Sequence, residues 1–588
     1  MDDTRKPEFT IQGIAASPGI AHGRAFVVVQ SELELPLYHI DPAQRDGEVA
    51  RFEQALLTTR LQIVKVQQEI ASKLSEDEAR IFDAHLLVLE DQALISETLR
   101  DLDKTHRNIE ACFREVGDRY IAAFDKIDDE YLRERASDIR DVVQRVLQNL
   151  IGHAISNLSR LAEDRVLITR DITPSESAAL DRSKVLGIVT DTGSRTSHAV
   201  IMARSMKIAA VVGSRDATAR VEHNDWVIVD GYDGVLIVNP SEQTLFRYGR
   251  LQLERKNFEK KLLESARLPA QTIDKRKFTL LANIDGPEDT KSARESGAEG
   301  VGLFRTEYIF LQTEAMPTEE MQYQAYRHVA EFFGEQPVVI RTMDLGGDKP
   351  LHWEEFCFEP ESNPFLGFRA IRFCLENTEL FKHQLRAILR ASVHGNVQIM
   401  FPMISGVEEL ERTLEVLEEA KAELRARKIE YNPKIKVGSM IEIPSAALVA
   451  DVLAEKCDFF SVGTNDLIQY LLAVDRVNPR TAHLYEPTHP AVLRTLKHIF
   501  DAAHEAGIKA SVCGEMASDP VLVPLLLGLG ADELSMAPAS LPAVNYLIQH
   551  MKLSDATKLA KEALKGRDPK AAFAAAIEFY KDRVRDMG

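Results

Sequence analysis

The stretch PVVIRTMD, residues 337–344, indicates the architecture of the second half of the chain, because a short β-type run leads directly into an arginine and an aspartate. Similar runs recur on both sides of it, each separated from the next by a helix-like stretch. The other seven are KFTLLANI (277–284), GVGLFRT (300–306), VQIMFPMI (397–404), KVGSMIEI (436–443), DFFSVGT (458–464), KASVCGE (509–515) and DELSM (532–536). Eight such units in about 300 residues fit a (β/α)8 barrel better than an open sheet.

Polar residues follow several of these strands at the point where each strand ends. Active sites of such barrels lie at the C-terminal ends of the strands, so these residues are expected to converge on one mouth. They are Arg305, Arg341 with Asp344, Glu442, Asn465 with Asp466, and Cys513 with Glu515.

This set of residue types favours phosphoryl transfer. Two arginines can clamp a dianionic phosphate, and two carboxylates from different strands can hold Mg²⁺ while leaving positions for water and substrate. The alternative for any one residue is structural; Arg305, for example, is then paired with Glu307 or another carboxylate as a rim ion pair. The whole set is better explained by chemistry than by a series of unrelated ion pairs.

Cys513 has two interpretations. A free cysteine is usually a small buried apolar residue, and the other four, at positions 112, 357, 374 and 457, fit that role. Cys513 stands at a strand end beside Gly514 and Glu515, which makes it a candidate proton donor.

The first half of the chain has a different pattern of apolar and β-branched residues. A proline-free stretch from Ala43 to Thr173 has apolar residues at helical spacing, and short β-branched runs flank it on both sides. We therefore expect one α/β domain that is interrupted by a helical insertion, followed by a charged linker helix and the barrel. The predicted limits are 1–32 with 150–240 for the α/β domain, 33–149 for the insertion, 241–269 for the linker helix and 270–588 for the barrel.

The segment GSRTSHAVIMARS, residues 193–205, places His198 at the start of an amphipathic helix. Unpaired backbone N–H groups and the helix dipole favour an anion there, so a phosphate carried on this imidazole would be well placed. The structural alternative is that Thr196 or Ser197 caps the helix and His198 is an ordinary surface residue.

Composition excludes several classes of protein. The 588 residues include 72 basic and 91 acidic side chains, and the net charge of −19 argues against a general nucleic-acid binder. No apolar run approaches the ~18 residues that span a bilayer, and the charged N-terminus lacks a signal peptide, so no membrane insertion is expected. The cysteines form no CxxC pair, which favours a reducing, cytoplasmic location.

Six motifs together resemble Enzyme I of the phosphoenolpyruvate:sugar phosphotransferase system. They are GSRTSHAVIMARS, GVGLFRTEYIF, RTMDLGGDK, NPFLGFRAIR, SVGTNDLIQYLLAVDR and CGEMASD, and they extend over nearly the whole chain. The resemblance implies an enzyme that phosphorylates itself from phosphoenolpyruvate with Mg²⁺, releases pyruvate, and passes the phosphate to the histidine phosphocarrier protein HPr. The implied fold is a swivelling phosphohistidine α/β domain with an inserted α-helical docking domain, a linker helix and a (β/α)8 barrel.

Carried over by position, the resemblance assigns a role to each candidate residue. His198 becomes the phosphorylated nucleophile and Cys513 the acid that protonates the enolate, whereas Glu442 and Asp466 become the Mg²⁺ ligands. The substrate-binding set is Arg305, Arg341, Asn465, Asp466 and Arg476.

The same resemblance implies an HPr partner for the helical insertion and a homodimer formed through the barrel. Acidic side chains are candidates for contacting a basic carrier, although a solvated helix face explains each of them equally well; they are Glu76, Asp77, Glu78, Glu90 and Asp91. The phosphohistidine loop departs from the family pattern at Ser194 and Ala199. These two departures bear on the relative rate of phosphoryl transfer more than on whether the enzyme is active.

Two other functions are alternatives. A phosphoenolpyruvate-forming dikinase shares these motifs, but it carries a nucleotide-binding domain for which this chain has no room, and no GxxxxGK[ST] loop is present. A silent regulatory protein that binds the carrier is disfavoured because every catalytic position holds the expected residue type. The lack of an extra N-terminal sensory domain favours sugar uptake over a nitrogen-regulatory branch.

Overall fold

The computed structural model describes residues 6–28, 35–73, 81–125, 130–152, 163–172, 184–193, 200, 203–204, 208–311, 316–347, 352–353, 356–357, 361–476, 478 and 480–584. The chain divides into two compact units, Met1–Leu253 and Glu254–Gly588. Within the described ranges, no helix combines the length and the apolar character needed to cross a membrane.

An eight-stranded sheet organises the first unit. Its strands are β1 (Phe9–Gln12), β2 (Ile14–Ser17), β3 (Ile20–Val28), β4 (Arg165–Thr169), β5 (Val185–Thr190), β6 (Ala209–Val212), β7 (Trp226–Asp230) and β8 (Val235–Val238). Their spatial order is β1-β8-β7-β3-β4-β5-β6-β2, with β3 to β6 parallel and the remaining pairs antiparallel. The sheet therefore takes strands from both sides of the helical stretch, as the sequence predicts, whereas the exact domain limits stay a prediction.

Both faces of this sheet are buried, which explains why its strands read as continuous apolar runs. On β4, Val166 belongs to one apolar cluster and Leu167 to the other. Ile188 and Val189 on β5 divide between the two clusters in the same way.

The interrupting stretch forms the predicted helices. They are α1 (Arg45–Lys73), α2 (Ile81–Leu89), α3 (Gln92–Thr105), α4 (Ile109–Asp125) and α5 (Glu130–Ile151), preceded by a 3-10 turn at Pro42–Gln44. Their common core includes the fully buried rings of Phe52, Phe82 and Phe113. Phe52 and Phe113 pack 5.1 Å apart between ring centroids.

Two more helices follow in the chain, α6 (Ala217–Arg220) and α7 (Glu242–Ser265). The second coincides with the linker helix predicted for 241–269. The boundary between the two compact units falls within it, after Leu253. In the first unit, Tyr248 of α7 packs against Ile228 and Ile237 of the sheet.

The second unit contains the predicted barrel. Its strands are β9 (Thr279–Ile284), β10 (Val301–Arg305), β11 (Pro337–Arg341), β14 (Asn396–Phe401), β15 (Lys436–Ile441), β16 (Phe459–Val462), β17 (Lys509–Val512) and β18 (Glu533–Met536), with a small hairpin of β12 (His352–Trp353) and β13 (Phe356–Cys357) between β11 and β14. The eight barrel strands are parallel and follow one another in chain order, and β18 pairs with β9 to close the barrel. The predicted fold class is therefore confirmed.

Helices surround the barrel strands in the expected alternation. They are α8 (Asp289–Glu295), α9 (Glu307–Leu311), α10 (Glu319–Phe333), α11 (Ile371–Glu376), α12 (Thr378–Ala391), α13 (Val407–Ala426), α14 (Pro444–Leu448), α15 (Ala450–Ala454), α16 (Thr464–Leu472), α17 (Pro490–Glu505), α18 (Glu515–Ser518), α19 (Val523–Leu529), α20 (Leu541–Gln549), α21 (Leu553–Lys565) and α22 (Pro569–Arg583), with 3-10 turns at Pro364–Leu366, Ala482–Leu484 and Pro538–Ser540.

Alternate residues of each barrel strand face opposite sides, which separates two apolar clusters. Phe304 and Ile441 belong to the large cluster between strands and helices. Their neighbours Leu303 and Met440 belong instead to a small cluster with Val339, Met400 and Cys513. This small cluster lies on the same side of the strands as the polar residues at the strand ends.

Close helix packing in the second unit depends on Gly528 of α19. A Cβ atom at this position would collide with the carbonyl group of Ala556 in α21. We therefore expect Gly528→Ala to destabilise the barrel unit by about 1–3 kcal/mol, as overpacking usually does. Gly406→Ala is the control because a Cβ there meets no atom within 4 Å. Gly406 is the N-cap of α13, where alanine is less favourable than glycine, so its loss of stability should stay below about 1 kcal/mol. Urea unfolding of both variants measures the difference, and equal stabilities would contradict the packing argument.

Candidate active site

The C-terminal ends of the barrel strands enclose a cavity of about 440 Å³. All seven residues that the sequence places in the barrel site line it: Arg305, Arg341, Glu442, Asn465, Asp466, Arg476 and Cys513. Their roles stay predictions. The convergence follows from the fold, since parallel strands of a closed barrel all end at the same rim.

Arg341 is buried at the end of β11, where a cation needs compensating charge. Its Nη2 donates to Glu307 Oε1 at 2.6 Å and lies 3.3 Å from Asp344 Oδ2. Burial opposes the charged form, but the carboxylates of Glu307, Asp344 and Glu442 outweigh this effect and raise the pKa of Arg341. The guanidinium therefore stays cationic.

The backbone around Arg341 is also fixed by buried side chains. Thr306 Oγ1 donates to the Arg341 carbonyl at 3.0 Å, and Gln384 Nε2 donates to Thr306 Oγ1 at 3.0 Å. The same Gln384 side chain accepts the main-chain N–H of Met343 at 3.0 Å. These contacts hold the segment from Arg341 to Asp344 rigidly at the rim.

Arg369 is a fourth arginine in the cavity that the sequence analysis left out of the site. It is 2 % exposed, and its Nη2 donates to both carboxylate oxygens of Asp344 at 2.8 Å. It follows no strand, because it lies in the connection between β11 and β14. The available signal was the motif NPFLGFRAIR, which contains it.

Arg305 and Arg476 are less buried than Arg341. Arg305 contacts Asp285 at 3.4 Å and keeps 44% of its side chain exposed, whereas Glu307, its expected alternative partner, pairs with Arg341. Arg476 lies 3.9 Å from Asp466, and its main-chain N–H donates to Gln469. Both guanidinium groups therefore remain accessible to an anion in the cavity.

The Asn465 side chain is oriented by contacts with Glu515, the first residue of α18. Its Oδ1 accepts the main-chain N–H of Glu515 at 2.8 Å, and its Nδ2 lies 3.4 Å from Glu515 Oε1. The hydroxyl of Tyr485 donates to the Asn465 carbonyl at 3.3 Å.

Glu442 and Asp466 are buried carboxylates in the same cavity. Glu442 Oε1 accepts the Met403 N–H at 2.6 Å. Burial, followed by the negative charges of Asp466 and Asp344, raises the pKa of Glu442 to about 8. Asp466 Oδ1 is buried without a hydrogen-bond partner in the described part of the chain.

This donor set fits Mg²⁺. The ion usually takes one or two protein carboxylates and completes its shell with water and substrate phosphate. No group of three or more His, Cys, Asp or Glu side chains suited to a metal occurs among the described residues. The unsatisfied oxygen of Asp466 and the mutual repulsion of the two carboxylates are what a bound cation would relieve.

Cys513 lies at the inner end of the cavity, 3 % exposed. Its Sγ is 3.6 Å from the Val462 carbonyl oxygen, and Leu303 and Met440 are its apolar neighbours. Burial raises the pKa of the thiol to about 11, so Cys513 stays protonated to a higher pH than a free thiol does. The sequence could not give this value, because it depends on the apolar neighbours from other strands.

His198 lies outside the described residues, so its position at the start of a helix stays a prediction. The structure describes neighbouring parts of its segment. Val200 and Ala203 are fully buried in the core of the first unit, beside β5.

Two of the acidic candidates for carrier contact have local structural roles. Glu90 Oε1 accepts from Arg60 Nε at 2.9 Å, and Asp91 caps α3 by accepting the N–H groups of Ala93 and Leu94. Glu76, Asp77 and Glu78 lie outside the described residues.

Three family models match the chain. They describe the N-terminal domain of PEP-utilising enzymes at residues 12–135, the mobile domain at 161–234 and the PEP-binding domain at 259–553. The phosphoenolpyruvate-protein phosphotransferase of Listeria innocua is 45% identical over 560 residues, which cover 94% of this chain and 96% of that protein. The protein of the same description from Geobacillus stearothermophilus is 44% identical over 560 residues, or 95% and 96% of the two chains. A solution structure of an Enzyme I protein aligns at 38% identity and a TM-score of 0.36 over 42% of this chain and 99% of its own.

The raised pKa of Glu442 predicts a pH-dependent stability in metal-free buffer. The unfolded carboxyl ionises near 4.5 and the folded one near 8, so stability falls as pH rises across this window and is lowest above it. Glu442→Gln never ionises and keeps an acceptor for Met403. It should therefore stabilise the protein by about 2–4 kcal/mol at pH 9 and by much less at pH 5.

Chemical denaturation with EDTA at the two pH values measures this difference, with the exposed Glu455→Gln as control. Added Mg²⁺ should stabilise the wild type at pH 9 more than Glu442→Gln. If Glu442→Gln were more stable than the wild type by the same amount at both pH values, burial would not be disfavouring the ionised form of Glu442.

Proposed function

The chain belongs to the phosphoenolpyruvate-protein phosphotransferase family of PEP-utilising enzymes, and from this premise we propose that its barrel transfers the phosphate of phosphoenolpyruvate to His198. The resemblance read from the six motifs is thereby confirmed at the level of the family. HPr is the proposed acceptor of the phosphate from His198, and pyruvate is the other product.

One observation supports this proposal most strongly: four arginines line a single cavity together with four buried carboxylates. Two of these carboxylates, Glu307 and Asp344, pair with Arg341 and Arg369, whereas Glu442 and Asp466 make no comparably short ion pair among the described residues. Phosphoenolpyruvate carries a carboxylate and a phosphate on a three-carbon frame, so it offers two anions to such a set. Forked guanidinium donors suit both groups. The arginines are Arg305, Arg341, Arg369 and Arg476.

The proposed contribution of these arginines is fixed positive charge. Arg341 and Arg369 are held by Asp344, so their positions are set before substrate arrives. Arg305 and Arg476 are more exposed and are the natural groups to meet the phosphate as it leaves for His198. Pre-positioned charge of this kind is the main source of rate enhancement in phosphoryl transfer.

Glu442 and Asp466 would hold Mg²⁺ through their free carboxylate oxygens. The ion would neutralise phosphate and enolate charge when bound. Asn465, fixed by the main chain of Glu515, is placed to donate its amide to the substrate beside them.

The proposed nucleophile is His198. A ring nitrogen forms a bond to phosphorus while the bond from phosphorus to the enol oxygen breaks, which leaves the enolate of pyruvate in the barrel. Cys513 then gives its Sγ proton to carbon 3 of the enolate. An apolar setting that keeps the thiol protonated suits this step, because the enolate is a stronger base than the surrounding carboxylates.

We assign the helical insertion as the docking site for HPr. Leu57 and Leu61 on α1 and Leu87 on α2 are exposed apolar side chains, and the Arg60–Glu90 ion pair joins the same two helices. Exposed apolar groups beside charged ones are typical of protein interfaces. In this proposal the apolar residues contribute contact area, whereas Asp91 acts as a helix cap.

A homodimer through the barrel is proposed on similar grounds. Leu366 and Leu448 are 63% and 76% exposed. Leu366 also lines a mostly apolar cavity of about 550 Å³ beside Pro444 and Tyr470. A cytoplasmic location fits the free state of four cysteines, Cys112, Cys374, Cys457 and Cys513.

Separate half-reactions test the proposed site. Asp466→Ala or Glu442→Ala should lower phosphorylation from phosphoenolpyruvate by at least about 100-fold, because phosphate charge is left uncompensated. Transfer from phosphorylated HPr onto His198 should survive in both variants, whereas His198→Ala should lose both half-reactions. Acid-labile label on the protein and mass spectrometry of the phosphorylated peptide provide the measurements.

The exposed Asp451→Ala is the matched control and should behave as wild type. Phosphate on a histidine other than His198 would refute the nucleophile. Equal loss of both half-reactions in a folded Asp466→Ala protein would refute the assignment of that carboxylate to the first step.

Loss of the proton donor should affect turnover. Cys513→Ser raises the pKa of the donor further and should reduce turnover by about 10² to 10⁴, while phosphoenolpyruvate binding and transfer from HPr to His198 persist. Cys457→Ser, another buried cysteine, should leave turnover unchanged. Wild-type turnover in Cys513→Ser would exclude the thiol as the acid.

The raised pKa also predicts how Cys513 reacts. Only the thiolate is alkylated, so inactivation by iodoacetamide should accelerate about tenfold per pH unit between pH 7 and 10 and be slowed by phosphoenolpyruvate. Peptide mapping should place the modification on Cys513. A rate that levels off near pH 8 would contradict the buried, apolar setting.

A further inference from the structure

A side-chain amide two strands away contacts the main chain of the proposed proton donor. Asn283, on β9, donates its Nδ2 hydrogen to the Cys513 carbonyl at 3.0 Å. Its Oδ1 accepts the Ser535 hydroxyl of β18 at 2.6 Å. Because the hydroxyl faces the amide oxygen, the amide nitrogen is turned towards Cys513.

This contact lies where the regular sheet ends. The ladder between β17 and β18 pairs Ser511 with Glu533 and Val512 with Leu534, so Cys513 is one residue beyond the last pair. On its other side, the Cys513 N–H still donates to the Val462 carbonyl of β16 at 3.1 Å. The Asn283 amide therefore takes the place of the missing contact on the β18 side.

The surroundings leave the amide little freedom. Ser535 is fully buried, and a Cβ atom at position 302 would lie 2.5 Å from its hydroxyl oxygen. Gly302 of β10 thus provides the space in which Ser535 holds Asn283. A chain of contacts runs from β10 through β18 and β9 to the end of β17.

We propose that Asn283 is a positioning residue that holds Cys513 so that its thiol faces carbon 3 of the enolate. The proposal rests on the proposed function, in which the S–H bond of Cys513 breaks, a C–H bond forms at carbon 3, and a thiolate remains. The Asn283 amide bonds Cys513 and Ser535 and does not line the cavity, so the role we assign to it acts through Cys513.

Such a role has a kinetic signature. A displacement of about 1 Å in a reacting group can cost about 100-fold in rate, whereas the arginines that bind the substrate are unaffected. Asn283→Ala should therefore lower kcat for phosphorylation of HPr from phosphoenolpyruvate about 10- to 100-fold and change the KM for phosphoenolpyruvate less than threefold. The solvent hydrogen isotope effect on kcat should increase, since proton transfer becomes slower.

The experiment uses the full chain with Mg²⁺, phosphoenolpyruvate and HPr. Asn545→Ala is the matched control, because this buried amide also donates to backbone carbonyls, but to those of Ser265 and Leu268 and not to that of Cys513. It should lose stability and keep kcat. Transfer from phosphorylated HPr onto the protein should be normal in both variants, and Ser535→Ala should show a smaller loss of kcat than Asn283→Ala.

Each outcome is decisive. A kcat for Asn283→Ala within twofold of that for Asn545→Ala, or a change confined to KM, overturns the positioning role. If Asn283→Ala fails to fold, Ser535→Ala decides, and a wild-type kcat and isotope effect in that variant overturn the proposal. A parallel measurement on Cys513→Ser distinguishes the failure of the proposed function from the failure of the positioning role. Wild-type turnover of Cys513→Ser would refute Cys513 as the proton donor. Slow turnover of Cys513→Ser together with normal turnover of Asn283→Ala would refute only the positioning role of Asn283.

Discussion

Closure of the barrel by the pairing of β18 with β9 is the constraint on which the rest of the second unit depends. The residues of the cavity come from strands that are far apart in the sequence, and parallel pairing brings all of their C-terminal ends to one rim. The same closure places Asn283 and Ser535 side by side and within reach of Cys513. An open sheet with the same strand order would leave β9 and β17 at distant positions, and neither the cavity nor this contact would form.

Charge at the rim is arranged so that no cation is left uncompensated in the buried part of the site. Asp344 serves two arginines at once, since it lies 3.3 Å from the Arg341 guanidinium and accepts three hydrogen bonds from Arg369. Among the described residues, Glu442 and Asp466 make no comparably short ion pair: Arg341 acts on Glu442 only through its charge, and Arg476 is 3.9 Å from Asp466. Burying carboxylates in this way is unfavourable in the free protein. A divalent cation would turn this unfavourable pair into a binding site, which explains why the two carboxylates are better suited to a metal than to an ion pair.

Most of the barrel could be predicted from the sequence because strand and helix signals alternate there, and a polar residue directly after a β-branched run identifies a rim position. Arg305, Arg341, Glu442 and Cys513 were found in this way. Arg369 was missed because it lies in an irregular connection, where no period indicates which way a side chain points. The partner of Glu307 was also unpredictable, since the choice between Arg305 and Arg341 depends on the register of two neighbouring strands. The pKa of Cys513 depends on apolar residues from other strands, so local sequence could not give it.

In the proposed function, the buried thiol of Cys513 is an acid that the barrel interior adjusts for a carbon base. At a pKa of about 11, Cys513 keeps its proton throughout the neutral range. Glu442, whose pKa burial raises to about 8, is still a weaker base than the Cys513 thiolate, so the thiol does not give its proton to Glu442. An enolate formed when phosphate leaves is a much stronger base and can take the proton if the geometry is right. Selectivity then depends on distance and direction more than on acidity, which is why the backbone contacts of Cys513 matter as much as its burial.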